Sequence, residues 1–204
     1  MNNKYVNYKG DDMLNMECKH KSVLVKIAML FQEAGISNNW MVAGGVAQRV
    51  NGLTIETQDI DILSDILTAF QIDEVLNEYR IQSMKISGND RFHSAFGRYE
   101  INNIPIEVAG DLKIKGQVNY SLSVTPYVLE HCKKIVLSDY TINIEPLEES
   151  LIADLIIERY ARVEKIVSVL KSKGINWEYI KERVNASNMP QLLMEKINDA
   201  LKKF

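Results

Sequence analysis

The feature that most restricts this chain is a pair of signals set close together: Trp40-Met41-Val42-Ala43 runs into Gly44-Gly45, and thirteen residues later comes Asp59-Ile60-Asp61-Ile62-Leu63. The first is an apolar strand ending in a glycine turn, with Val46 to Val50 able to form a brief helix before Asn51-Gly52. The second alternates strictly, so it reads as a strand with one apolar and one acidic face. Asp59 and Asp61 then share a face with Cα atoms about 6.6 Å apart, while Ile60 and Ile62 turn to the core. Two carboxylates on one face repel each other. A strand tolerates the arrangement when divalent cations bridge the pair, and two such ions form the usual clamp for in-line phosphoryl chemistry. Glycines lacking Cβ let the backbone approach a phosphate, and the N–H groups that open the following helix can donate to it.

Around this pair the pattern is that of one body with a helical end. From His20 to Ala34 the apolar positions Val23, Leu24, Ile27, Leu30 and Phe31 recur every three or four residues, and Gly35 stands where a left-handed stop belongs. Asp65 or Ser64 can cap a helix running to about Leu76. Strands are expected over 79–87, 96–101, 104–109, 118–124, 133–137 and 140–144, with Asn102-Asn103 and Ser138-Asp139 as hairpin turns. Beyond Pro146 the stripe Ile152, Leu155, Ile156, Val163, Ile166, Val167, Leu170 predicts one helix over 147–171 that stops at Gly174. Asn176 can cap a helix over 177–185, and Pro190 can open another over 191–203. The division expected is an α/β part over 18–145 and a helical part over 146–204 packed on it. Residues 1–17 read as a polar arm.

Composition narrows the classes. With 204 residues, 46% hydrophobic, 25% charged and only 4 Pro, the chain is an ordinary globular sequence with room for a sizeable core. The formal charge of -3 argues against a broad electrostatic footprint for duplex nucleic acid. The acidic side is the first part, because residues 1–145 hold 18 of the 27 acidic side chains. Two cysteines make no disulfide framework, and Cys18-x-His20 and His131-Cys132 lack the paired spacing of a structural zinc site. No apolar run nears the ~20 residues that span a bilayer, and no secretory leader is legible, so a cytoplasmic protein without a membrane partner is expected. Neither G-x-x-x-x-G-K-[ST] nor G-x-G-x-x-G occurs.

A third carboxylate stands in Ile104-Pro105-Ile106-Glu107-Val108, where Glu107 is the only acidic side chain of an apolar run and must be exposed or paired. Asp111, beside Gly110, competes with it as a turn residue. Arg98 leads into the hairpin, where it either crosses to a phosphate or remains an exposed strand arginine.

Together, Ala43-Gly44-Gly45, Asp59-x-Asp61 and Glu107 resemble the motif set of the DNA polymerase beta-like nucleotidyltransferase superfamily. The run Arg91 to Arg98 through Ile106 to Asp111 looks like its small prokaryotic branch, which includes lincosamide-type nucleotidyltransferases and type IV abortive-infection toxins. Pro146 to Asp154, followed by a helix bearing Arg159 and Arg162, is similar to the helical half of that branch. The resemblance implies an α+β fold in which a nucleotidyltransferase-type mixed β-sheet with flanking helices is followed by a helical C-terminal part. It implies that Asp59, Asp61 and Glu107 hold Mg2+, with Mn2+ as a substitute, and that Glu107 assists deprotonation of the acceptor. Gly44, Gly45 and Arg98 would meet the nucleotide. The implied activity moves a nucleoside monophosphate from an NTP to a hydroxyl of an RNA 3′ end, a protein or a small molecule. The competing reading is a catalytically idle nucleotide-binding or regulatory, antitoxin-like module. The superfamily's third carboxylate is most often Asp, and Glu107 is one methylene longer.

Overall fold

The computed structural model describes residues 16–36 and 38–204, so most of the arm expected over 1–17 lies outside the described residues. Helix α1 (Cys18–Glu33) leads to β1 (Trp40–Ala43), the short α2 (Gly44–Val50), β2 (Ile60–Ser64) and α3 (Ile66–Val75). Then come β3 (Arg80–Gly88), β4 (Phe92–Ile101), β5 (Ile104–Ile114), β6 (Tyr120–Leu122), α4 (Pro126–His131), β7 (Lys133–Leu137) and β8 (Tyr140–Ile144). Four helices close the chain: α5 (Leu147–Ile156), α6 (Tyr160–Lys173), α7 (Trp177–Asn185) and α8 (Pro190–Lys203).

The strands form one mixed sheet in the order β3-β4-β5-β2-β1-β8-β7, with β6 paired to the far end of β5. β2 runs parallel to β5 and antiparallel to β1, which itself runs parallel to β8. The central strands alternate between two apolar layers. Ile60, Ile62, Ile106 and Val108 face the layer filled by Val23, Leu24, Ile27 and Phe31 of α1 and Ala69 and Ile72 of α3. Leu63, Ala109, Ile114 and Leu122 belong to a second layer with Leu151, Ile152, Val163 and Ile166 of α5 and α6.

Local chemistry explains the boundaries. Asp65 caps α3 by accepting from the Thr68 N–H at 2.9 Å, and Asn176 caps α7 by accepting from the Tyr179 N–H at 3.0 Å. Asn102 and Asn103, both with positive φ, make the two-residue turn between β4 and β5. Two expectations are corrected. The single helix over 147–171 is two helices, because the chain breaks at Ile157–Arg159 with Glu158 at φ 62°. Glu158 therefore does not stand one helical turn before Arg162.

β5 also runs further than the alternation suggests. Between His93/Lys113 and Ala95/Gly110 the register advances two residues on β4 and three on β5, so β5 carries one extra residue at Asp111, whose φ is 49°. A bulge of this kind moves the residues after it to the other face.

A buried network fixes α5 against its neighbours. The Glu149 carboxylate is 0% exposed, accepts from the hydroxyls of Tyr120 and Tyr179 at 2.7 Å each, and accepts from Arg183 Nε at 2.9 Å and Nη2 at 2.7 Å. Arg183 also donates to the Ser121 carbonyl at 2.8 Å, so β6, α5 and α7 meet at one charge pair.

Candidate active site

The sheet register brings the sequence candidates into one row. Arg98 on β4 is opposite Glu107 on β5, Glu107 is opposite Asp61 on β2, and Asp61 is opposite Ala43 on β1. Neighbouring strands lie about 4.8 Å apart, so each of these side chains is one strand spacing from the next. β8 continues the row: Ile144 pairs with Val42, and the N–H of Glu145, just beyond the strand, donates to the Val42 carbonyl at 2.8 Å.

Gly44 follows directly, with φ 59°, and a Cβ there would overlap the Asp61 carboxylate. Its missing side chain is what lets Asp61 lie against the opening of α2. Desolvation pushes the Asp61 carboxyl up to about 7, and the charges of Asp59 and Glu107 add to the shift, while Arg162 and Arg159 oppose it. Glu107 is held from its own side by Arg98, whose Nε and Nη2 both lie 2.9 Å from Oε1.

Helices α5 and α6 form the facing wall. The break between them places Arg159 and Arg162 beside a cavity of about 500 Å3 that Gly44, Asp61, Glu107 and Arg98 also line. Asp154, 3% exposed, accepts from Gln48 Nε2 at 3.1 Å and lies 3.8 Å from Arg159 Nη1. Burial raises the Asp154 carboxyl above its ordinary value, against the pull of Arg162 and Arg159. Glu145, which also lines the cavity, accepts from Ser150 Oγ at 2.6 Å, and burial pushes its carboxyl up to about 8. The buried Oε1 of Gln48 has no hydrogen-bond partner. Burial thus raises the carboxyls of Asp61 and Glu145 on this floor into the neutral range, with the guanidiniums of Arg159 and Arg162 on the facing wall.

The row gathers Asp61, Glu107, Gly44 and Arg98 along one cavity. It does not gather all six candidates in the way expected. Asp59 occupies a bend just before β2, where it accepts from Thr57 Oγ1 at 3.5 Å, and it is felt by Asp61 as a charge. Gly45 faces away from the cavity: a Cβ there would lie 2.5 Å from Thr57 Oγ1 and 2.8 Å from its Cβ. Its smallness serves the packing of the loop before β2. Arg98 serves Glu107 in place of the open crossing to a phosphate that the sequence allowed. Asp111, the competing third carboxylate, is the bulge residue of β5. The sequence reading missed Gln48, Glu145 and Asp154, and left Arg159 and Arg162 without a role. Of these only Asp154 left a legible signal, a charge inside the otherwise apolar stripe of α5.

The residues suit a magnesium ion by their chemistry. Asp61, Asp59 and Glu107 offer hard oxygen donors, and the charges of Asp59 and Glu107 add to the burial that raises the Asp61 carboxyl, a repulsion that a cation would relieve. Among the described residues, no three His, Cys, Asp or Glu side chains are drawn into a ready-made cage. Magnesium sites built on nucleotides commonly use one or two carboxylates and complete the shell with water and substrate phosphates.

Comparison with known proteins adds the fold's affiliation. No protein-family model and no curated protein matches the sequence. Among solved structures, the chain is similar to a protein of Thermotoga maritima assigned as a nucleotidyltransferase, with TM-score 0.61 and 22% identity over 78% of this chain and 96% of that one. It is also similar to an antigenic nucleotidyltransferase-like protein of Paracoccidioides brasiliensis, with TM-score 0.52 and 12% identity over 90% and 87% of the two chains. The antibiotic-resistance factor ANT(2'')-Ia superimposes more loosely, with TM-score 0.46 and 14% identity over 93% of this chain and 92% of that one. The fold is the one shared with the Thermotoga maritima and Paracoccidioides brasiliensis proteins.

Proposed function

We propose that the chain is a metal-dependent nucleotidyltransferase that moves a nucleoside monophosphate from an NTP to an acceptor hydroxyl and releases pyrophosphate. The observation that carries this reading is the placement of Asp61 between Glu107 and the side-chain-free turn at Gly44, facing Arg162 across one cavity. Asp61, with Asp59 and Glu107, would hold Mg2+, or Mn2+ in its place. When bound, the metal neutralises charge on the phosphoryl oxygens.

The chain's own groups have distinct tasks in this scheme. The backbone at Gly44-Gly45 receives the phosphates, and Arg159 and Arg162 balance their charge from the helical wall. Glu107, held by Arg98, lies on the opposite flank of Asp61 and takes the proton of the attacking hydroxyl. A bond forms from that oxygen to the α-phosphorus while the bond to the bridging oxygen breaks, and its electron pair leaves with pyrophosphate. Positioning and charge balance suffice because no covalent enzyme intermediate is required.

The test is a thermal-shift screen with each NTP, with and without Mg2+ or Mn2+. Nucleotide at 100 times its dissociation constant stabilises by about 2.7 kcal/mol. A metal-dependent shift that Asp61→Asn abolishes supports the reading. Binding without any turnover would instead favour the idle nucleotide-binding module, and the absence of any shift would remove both.

A further inference from the structure

The bulge at Asp111 has a chemical result that the catalytic row does not use. On β4, Phe92, Ser94, Phe96 and Arg98 alternate onto the cavity face. On β5, Glu107 and Ala109 do the same, and if the same residues ran on as an unbulged strand the next positions on that face would be Asp111 and Lys113. The bulge substitutes Leu112 and Ile114, which line the cavity in their stead. Leu122 of β6 and Ile157 at the helix break complete this part of the wall. The cavity therefore has a charged end at Asp61 and an apolar wing at Phe92, Phe96, Leu112, Ile114, Leu122 and Ile157. Arg98 marks the border: its guanidinium is bound to Glu107 and sits 5.3 Å from the centre of the Phe96 ring.

The direction of the reaction says what the wing is for. In-line transfer requires the attacking and leaving oxygens to lie on opposite sides of the phosphorus. Gly44, where the leaving phosphates are received, is on the β1 side of Asp61, so the attacking hydroxyl must arrive from the β5 side, where the wing lies. An RNA end would bring phosphates to this side, yet among the described residues no lysine lines the cavity, and Arg98, which borders the wing, is committed to Glu107.

We infer that the acceptor is a small molecule with an apolar, ring-bearing body and a free hydroxyl, seated in the wing with the hydroxyl at Glu107. The inference rests on the proposed nucleotidyl transfer for its orientation, while the wing's affinity for an aromatic alcohol is independent of it.

The probe is 1-naphthalenemethanol, a fluorescent alcohol, titrated into the full chain with and without an NTP and Mn2+. Saturable binding is expected, with nucleotide and probe bound together. Phe92→Ser should weaken the probe about tenfold or more while changing nucleotide affinity by less than about twofold. Ser94→Leu, which fills the wing without removing a packed ring, should do the same, so that a fold defect in one variant leaves the other to decide. Failure of the wild-type chain to bind the probe overturns the inference. So does displacement of the probe by NTP, which would give the wing to the nucleobase, or by a short RNA, which would give it to a nucleic-acid acceptor. If nucleotide never binds but the probe does, and both variants lose it, the transfer reading fails and the apolar site stands.

Discussion

Replacing Asp61 by Asn should make the ligand-free protein more stable, and by an amount that depends on pH in a set direction. The carboxyl titrates near 7 in the folded chain against 3.8 for the free group. Each unit of difference corresponds to about 1.36 kcal/mol, so ionising Asp61 within the fold costs about 4 kcal/mol at most. Solvent and neighbouring charges soften that cost, and about 2 kcal/mol is the working expectation for Asp61. A carboxyl raised in the fold contributes full stability below its unfolded value and loses it as pH rises through the folded value. The advantage of Asp61→Asn should therefore widen from pH 4 to about pH 7 and level off above it. In a chain of this length it appears as about 4 to 8 °C in Tm at pH 8. Thermal unfolding of parent and variant across that pH range is the assay. Mg2+ with an NTP should raise the parent and leave the variant where it was. A gap that stays constant with pH, or a variant less stable than its parent at pH 8, would refute the claim that Asp61 is held in a crowded, desolvated acidic site.

Four other changes probe the site and the helices that wall it. Arg183→Met leaves Glu149 buried without its cation and should cost about 3 to 5 kcal/mol, read by urea unfolding. A loss below about 1 kcal/mol would show that the network is dispensable. Arg162→Gln removes a charge that opposes the upward shift of Asp61, so nucleotide affinity should fall by about tenfold and the pH response of Tm should move further up. Gly44→Ala combines an unfavourable positive φ with overlap on Asp61, and it should abolish nucleotide binding as well as lower Tm, whereas Gly45→Ala, which meets Thr57, should act on stability first.

Much of this was legible wherever the information is local. The glycine pair, the alternation around Asp61, the Asn102-Asn103 turn and the caps at Asp65 and Asn176 are each settled by residues within a few positions of one another. The helix break at Ile157–Arg159 was hidden because Leu155 and Ile156 before it and Val163 after it keep the spacing of an unbroken stripe. The bulge at Asp111 was hidden for a related reason: a single added residue in one strand is defined only against its partner, and β4 supplies the count. The packing constraint on Gly45 was hidden because what its missing Cβ avoids, Thr57, is twelve residues away on another segment. Glu145, Gln48 and Asp154 come from β8, α2 and α5, and only the strand order and the helix packing reveal that they line one cavity.

The extra residue at Asp111 divides β5 into two lengths that can change independently. Upstream of it, Glu107 answers to the register with Asp61; downstream, Leu112 and Ile114 answer only to the wing. Substitutions beyond the bulge can alter the shape and polarity offered to an acceptor while leaving the acidic row in its register. Deleting Asp111 would remove the bulge and return the strand to plain alternation, in which Ala109, Leu112 and Ile114 still share the cavity face and Lys113 still faces away. A lineage of such chains has in the stretch beyond that residue a place to change its choice of acceptor without rebuilding the chemistry, and an engineer has the same opening.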